Sequence, residues 1–247
     1  MAGHSKWAGI KHKKALIDKK RAKRWTKLVR EVTVAARLGG GDPAANPRLR
    51  SAVLDARSDN VPNDTIERAI LKGTGELEGA AYEEITYEGY GPGGVAVLIE
   101  AMTDNRNRTV AELRHVFSRH GGSLGETNSV SWMFDRRGYF AIPKEAMDEE
   151  KVMELALELG VDDISTEGDE HELYTSFEDY ARVREALEGR EVPLTAKELA
   201  MIPQTSMDVE GEQAARAMRL LEALEDLDDV QNVWANLSVD EATLASA

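Results

Sequence analysis

Lys11, His12, Lys13 and Lys14, followed by Lys19, Lys20, Arg21, Lys23, Arg24 and Lys27, crowd basic side chains into one short run with Asp18 as its single acid. A same-sign run repels itself. Phosphates relieve that repulsion and release their own counterions on binding. An ordinary exposed helix instead places acids three or four residues from its bases, so that they pair. The chemistry on offer is therefore contact with a nucleic-acid backbone, which reads charge and shape rather than base sequence. Lys6 precedes the run and belongs to the same candidate surface. His12 lies among lysines and reads as a phosphate or base contact rather than a general base. Trp7, in polar surroundings, suits base stacking and packing equally. Trp25 falls on an apolar stripe and reads as core.

The charge of the rest of the chain sharpens this. The first forty residues hold twelve Lys and Arg against two acids, Asp18 and Glu31, a formal charge of +10. The 247-residue chain carries −14 in total, so everything after that segment sums to −24. A basic arm on a polyanion-repelling body is the electrostatic footprint of a nucleic-acid binder whose average charge conceals it.

Asp104-Asn-Arg-Asn-Arg-Thr109 precedes a helix start, where free backbone N–H groups favour an anion. Arg106 and Arg108 are a second candidate contact there. The alternative is a polar turn whose Asn107 or Thr109 caps the helix. Gly89-Tyr-Gly91-Pro-Gly-Gly94 matches the letters of a dinucleotide fingerprint, yet a strand-like run follows where a helix is required, so a tight hairpin is expected.

Enzymatic chemistry finds little support. His4, His12, His115, His120 and His171 form no metal-ligand spacing, no nucleophile elbow exists, and cysteine is absent. No cofactor, metal or small-molecule substrate is expected. No stretch approaches the roughly 18 apolar residues of a membrane span, and no apolar segment follows the basic N-terminus. A cytoplasmic protein without a membrane partner is the expectation.

The elements that must position these groups follow from periodicity. Trp25, Leu28, Val29, Val32 and Ala36 make one helical stripe, ended by Gly39-Gly40-Gly41-Asp42-Pro43. Leu49, Ala52, Val53 and Ala56 predict a second helix. Ile66, Ala69 and Ile70 predict a third, opening near Pro62 with Asp64 and Glu67 in capping-box spacing and closed by Gly73 and Gly75. From Tyr82 the period changes to strand–strand–helix–strand. Ile85–Tyr87 and Val95–Ile99 are strands, Thr109 opens a helix, and Ser129–Phe134 is another strand. A second such unit follows: a strand at Tyr139–Ile142, a helix at Glu149–Leu159, a hairpin at Ile164–Thr175, a helix at Phe177–Leu187 and a strand from Glu191. A last strand–helix–strand, Met207–Val209, Glu212–Leu224 and Val230–Leu237, lacks a core of its own and can complete the first unit.

The segments Met1–Trp7, Ile10–Lys14, Trp25–Leu28, Ala35–Pro43, Asn46–Leu49, Asn63–Gly79, Tyr87–Gly94, Thr103–Thr109 and Asp228–Val233 together resemble the YebC family across nearly the whole chain. Ala22 and Trp25 stand where the family suggests glycine and phenylalanine. The resemblance implies an α+β fold: an N-terminal three-helix bundle followed by two ferredoxin-like α/β domains, the middle one discontinuous. The expected domains are residues 1–78, 79–136 with 204–240, and an inserted 137–203. The resemblance also implies a regulatory role. It has been drawn either as DNA-binding transcriptional control or as translation on the ribosome, easing stalls at proline-rich stretches. The residues favour a non-enzymatic factor binding ribosomal RNA or tRNA, because no helix-turn-helix signature is apparent. Duplex DNA is the rival ligand.

Overall fold

The computed structural model describes residues 4–7, 21–79, 81–166 and 168–240. Helices α1 (Arg21–Gly39), α2 (Pro47–Ser58) and α3 (Asn63–Thr74) form the N-terminal bundle. Val32, Ala35 and Ala36 of α1 meet Leu49, Ala52, Val53 and Ala56 of α2 and Ile66 and Ala69 of α3, so the three apolar stripes bury one another. Asn46 caps α2 by accepting from Leu49 N at 3.1 Å. The capping-box reading of Asp64 and Glu67 does not hold: Pro62 occupies the cap position and no side chain caps α3. The two glycines at its end do different work. Gly75 takes the left-handed cap conformation at φ 82°, whereas Gly73 lets α3 approach α1, where a Cβ would collide with the Thr33 carbonyl.

The middle unit is a four-stranded antiparallel sheet. β2 (Glu83–Tyr90) and β3 (Ala96–Thr103) form a hairpin, α4 (Arg106–Arg119) crosses to the short β4 (Ser123–Leu124), and the chain then leaves. It returns through β9 (Met207–Asp208) and α7 (Gly211–Glu225) to β10 (Val230–Ala235), which pairs antiparallel with β3. The strand order is β10-β3-β2-β4. Gly91–Gly94 is the expected hairpin connection, held by Gly91 N donating to Val95 O at 2.8 Å.

Between departure and return lie β5 (Phe134–Pro143), α5 (Glu149–Leu159), β6 (Asp163–Ser165), β7 (Glu170–Thr175), α6 (Tyr180–Gly189) and β8 (Ala196–Pro203). Their sheet order, β8-β5-β7-β6 with every pair antiparallel, is the ferredoxin-like arrangement of a βαββαβ chain. The middle sheet has the same layout, but its second inner strand, β2, comes first in the chain.

The two sheets pack against each other, each with helices on its outer face. Strand alternation shows this directly. On β3, Val97 and Ile99 face α4 and α7 while Ala96 and Leu98 face the other sheet. On β5, Tyr139 and Ala141 face the middle sheet while Phe140 and Ile142 face α5 and α6. Burial on both faces explains why Val95–Ile99 reads as an unbroken apolar run.

Three sequence expectations shift. Ser129–Phe134 is not a strand, because the buried Glu88 carboxylate takes the N–H groups of Asn128, Val130 and Ser131 at 2.7, 2.7 and 2.8 Å, away from any ladder. The strand begins instead at Phe134 and absorbs Tyr139–Ile142. The strand expected from Glu191 starts at Ala196. Val230–Leu237 divides at Asn236, whose side chain accepts from Ala96 N at 2.8 Å, into β10 and β11 (Leu237–Asp240). β11 then collects β1 (His4–Lys6) and β9 into a small three-stranded sheet. The N-terminal segment is thereby built into the middle unit, and Trp7, 2% exposed, enters its core with Nε1 donating to Val233 O at 3.3 Å. Packing, not base stacking, is the role of Trp7.

Candidate nucleic-acid interface

Lys23, Lys27 and Arg30 are spaced i, i+4, i+7 on α1 and so share one face of the helix. That face meets the C-terminal end of α7 and the turn into β10. Lys23 Nζ donates to Asp226 O at 2.7 Å, and Lys27 Nζ to Glu225 O at 3.1 Å and Gln231 O at 3.5 Å. Arg30 Nη1 donates to the carbonyls of Asp228 and of Met102, the latter at 3.4 Å, and its guanidinium lies over the Tyr82 ring at 5.1 Å. The last carbonyls of a helix lack intrahelical partners and carry the negative end of its dipole. Part of the basic run is thus engaged inside the molecule, its donors taken up by carbonyl oxygens, which no charge count reveals.

Asp229 is the hub of this contact. Its side chain is 3% exposed, and Oδ2 accepts from Arg108 Nη2 at 2.7 Å, Thr109 Oγ1 at 2.8 Å and Thr103 Oγ1 at 3.1 Å. Oδ1 lies 3.2 Å from Arg30 Nη1. Burial alone pushes this carboxyl up, but the hydrogen bonds from Arg108, Thr109 and Thr103 and the Arg108 charge together bring it below the usual range. Arg108 also pairs with Asp104 at 3.0 Å, and both carboxylates hold its guanidinium above its ordinary value. These groups border a cleft of about 540 Å³ between α1, α4 and the α7–β10 turn, in which Asp104, Glu112, Asp226, Asp228 and Asp229 outnumber Lys23, Arg30 and Arg108. Mixed charge of this kind joins two elements and does not cradle a phosphate.

The cap of α4 is neither of the two expected residues. Asn105 accepts from Arg108 N at 3.1 Å, and the helix begins at Arg106, so Thr109 lies inside it and turns inward to Asp229. Arg106 and Arg108 therefore separate. Arg108 is a structural tie between α4 and the β10 turn, while Arg106 is 65% exposed and only 4.0 Å from Glu83.

The remaining candidates are placed as follows. Arg24 Nε pairs with Asp59 at 2.5 Å. Lys6 is exposed and lines a second cleft between the two sheets, with Arg137, Glu198 and Trp234. Trp25 is half-buried against the bundle core, and its Nε1 donates to Asp59 O at 3.0 Å. Lys11, His12, Lys13, Lys14, Lys19 and Lys20 lie outside the described residues, as does the side chain of Arg21. Both flanks of that segment reach the same part of the middle unit, Trp7 at Val233 and Lys23 at Asp226. Sequence reasoning missed Arg30 and Asp229 as interface residues. The i, i+4, i+7 spacing could have singled out Arg30, whereas Asp229 carried no local signal.

Comparison with known proteins gives a consistent result. Residues 5–76 match the family model for the TACO1/YebC protein N-terminal domain, and residues 82–237 match that for the TACO1/YebC second and third domain. A protein of Natranaerobius thermophilus named "Probable transcriptional regulatory protein" is 56% identical over 99% of both chains. One of the same name from Pelotomaculum thermopropionicum is 56% identical over 98% of this chain and all of its own. The crystal structure of a conserved hypothetical protein from Aquifex aeolicus superposes with a TM-score of 0.86 at 48% identity, covering 95% of this chain and 97% of that one.

Proposed function

The chain belongs to the TACO1/YebC family, and from that premise we propose that it is a non-enzymatic, nucleic-acid-binding regulatory protein of the cytoplasm. Its finer role in this reading is that of a translation factor on the ribosome, touching ribosomal RNA or tRNA backbone and relieving stalls at proline-rich stretches. The observation that carries the nucleic-acid reading is the division of charge, +10 in the first forty residues against −24 in the rest. The acidic body limits non-specific adhesion and sets the orientation in which the basic segment meets a polyanion.

Lys23, Lys27 and Arg108 direct donors to acceptors inside the protein. Lys11, His12, Lys13, Lys14, Lys19 and Lys20 are therefore the residues assigned to phosphate contact. The placement of α1 favours RNA over duplex DNA. A major-groove recognition helix presents polar side chains outward to base edges, whereas α1 turns its basic stripe to the α7–β10 turn. The second reading, a DNA-binding transcriptional regulator, draws on the name that the relatives carry.

Co-sedimentation with purified ribosomes at physiological salt, with random duplex DNA as competitor, separates the two. Retention despite excess DNA, lost on joint replacement of Lys11, Lys13 and Lys14 by alanine, is the expected result. Displacement at a low excess of DNA gives first place to the transcriptional reading.

A further inference from the structure

The inserted unit, residues 134–203, holds nineteen acids against eight bases, a formal charge of −11. Its helix α5 buries Val152, Ala156 and Leu159 beneath it. The apolar character of α5 continues past the part that is covered: Met153 is 53% exposed and Leu157 86% exposed. Single exposed apolar side chains are ordinary on any surface. These two are four residues apart on one helix, so they stand a turn apart and form a ridge. Glu149, four residues before Met153, opens the same row, and its Oε1 accepts from Thr166 Oγ1 at 3.2 Å just past β6. β6 is the edge strand of its sheet. The opposite flank of α5 meets α6, where Glu158 pairs with Arg190 at 2.5 Å and Leu159 O accepts from Arg182 Nη1 at 2.8 Å. The ridge therefore lies along the outer edge of the unit.

A second row runs beside the first. Glu150, Glu154 and Glu158 are again four residues apart, and all three are exposed. Like charges at that spacing oppose one another. Acids in the first turn suit the helix dipole, but Glu154 and Glu158 run toward its negative end, and no base stands in the last turn. Lys151 is taken by Asp148 at 2.6 Å, and among the described residues Glu150 and Glu154 form no ion pair. The helix thus holds an apolar ridge in water beside a row of mutually repelling carboxylates. Both are relieved by a neighbour that brings apolar surface and cations together. A nucleic acid or an anionic lipid surface is repelled by this unit. Lysine and arginine lay their methylene stems on apolar surface while their charged heads reach carboxylates alongside, and a helix seats its side-chain ridges in the grooves of another.

We propose that the Met153–Leu157 ridge and the Glu150–Glu154–Glu158 row of α5 form a docking surface for a basic amphipathic helix of a partner protein. The surface lies on a different unit from the basic run, and it stands or falls independently of the nucleic-acid reading.

The test titrates the full chain with a labelled synthetic peptide of leucine and lysine patterned at the helical period and, separately, with a scrambled peptide of the same composition, following fluorescence anisotropy. The patterned peptide is expected to bind, and the scrambled one to bind at least about tenfold more weakly, because only the first gathers its leucines on one face. Joint Met153→Ser and Leu157→Ser should weaken the patterned peptide about tenfold or more and leave the thermal melt unchanged, since both side chains are exposed. Joint Glu150→Gln and Glu154→Gln should flatten the salt dependence and spare the binding that survives high salt. No binding of the patterned peptide, equal binding of the two peptides, or equal binding by wild type and the serine variant overturns the surface. Sedimentation equilibrium tests the rival occupant: self-association of the wild type that the serine variant abolishes overturns the partner and assigns the ridge to a second copy of this chain.

Discussion

Lys27 Nζ donates to the carbonyl oxygen of Glu225 at 3.1 Å, tying a lysine of the basic run to the C-terminus of a helix in the acidic body. The residues are 198 positions apart. The contact divides the basic run into a part that holds the molecule together and a part assigned to an external polyanion. Replacing Lys27 by methionine keeps the side-chain bulk and removes the cation. The expected cost is about 0.3 to 1 kcal/mol, the usual worth of a cation at a helix C-terminus. Urea denaturation measures this, and RNA affinity should stay unchanged.

Asp229 predicts a pH dependence with a definite sign. Its folded pKa lies below the unfolded value of about 3.9. Its contribution to stability is therefore fully present above the unfolded pKa and is lost as pH falls through the folded one. Asp229→Asn should remove that part of the acid limb when stability is measured across pH 2 to about 6. Asp229→Ala should cost about 1 to 3 kcal/mol, because it leaves the buried Thr103 and Thr109 hydroxyls without their acceptor and Arg30 without its carboxylate.

The clamp on the Ser129 segment is tested at Glu88. Glu88→Ala strands the N–H groups that now bond its carboxylate. The expected cost is about 3 kcal/mol, given roughly 1 kcal/mol or more for each buried donor left unmet. Hydrogen exchange at Asn128, Val130 and Ser131 should accelerate while amides in β5 keep their protection. Unchanged exchange at these three positions would show that the clamp does not order the segment.

Gly89 is a close-approach position on β2. A Cβ there would meet Phe117 Cζ at 2.6 Å and Ser123 O at 2.7 Å. Gly89→Ala is expected to destabilise the middle unit by about 1 to 3 kcal/mol through overpacking. Because Gly89 pairs with Leu124 beside Tyr90 and Ser123, the same variant should disturb the Ser129 carbonyl to which Tyr90 Oη and Trp132 Nε1 both donate. A lowered melting temperature together with a shifted Trp132 emission is the expected signature.

Much of the architecture was legible from local pattern. Leu49, Ala52, Val53 and Ala56 are the buried face of α2 because helical periodicity alone selects them. Val95–Ile99 is a doubly covered strand because an apolar run too short for a helix has few other homes. Helix starts were read less well. The sequence pointed to Asp64, by capping-box spacing, and to Asn107 or Thr109 as caps, whereas α3 begins behind Pro62 and Asn105 caps α4. The Ser129 segment misled because its backbone is satisfied by Glu88, some 40 residues earlier. The candidate site was legible as charge and illegible as geometry. Nothing near Lys23 or Lys27 in the sequence says that their acceptors include main-chain oxygens on the far side of an inserted domain.

The most direct measurement is the salt dependence of RNA binding for three proteins: wild type, the joint Lys11/Lys13/Lys14→Ala variant, and Lys23/Lys27→Ala. The log–log slope counts phosphate contacts, at about 0.7 per contact for a single strand. The expected result is a slope reduced by about 2 in the first variant and unchanged in the second, which instead loses stability. A slope that falls equally in both, or only in the second, would contradict the division of the basic run and return α1 to the nucleic-acid interface.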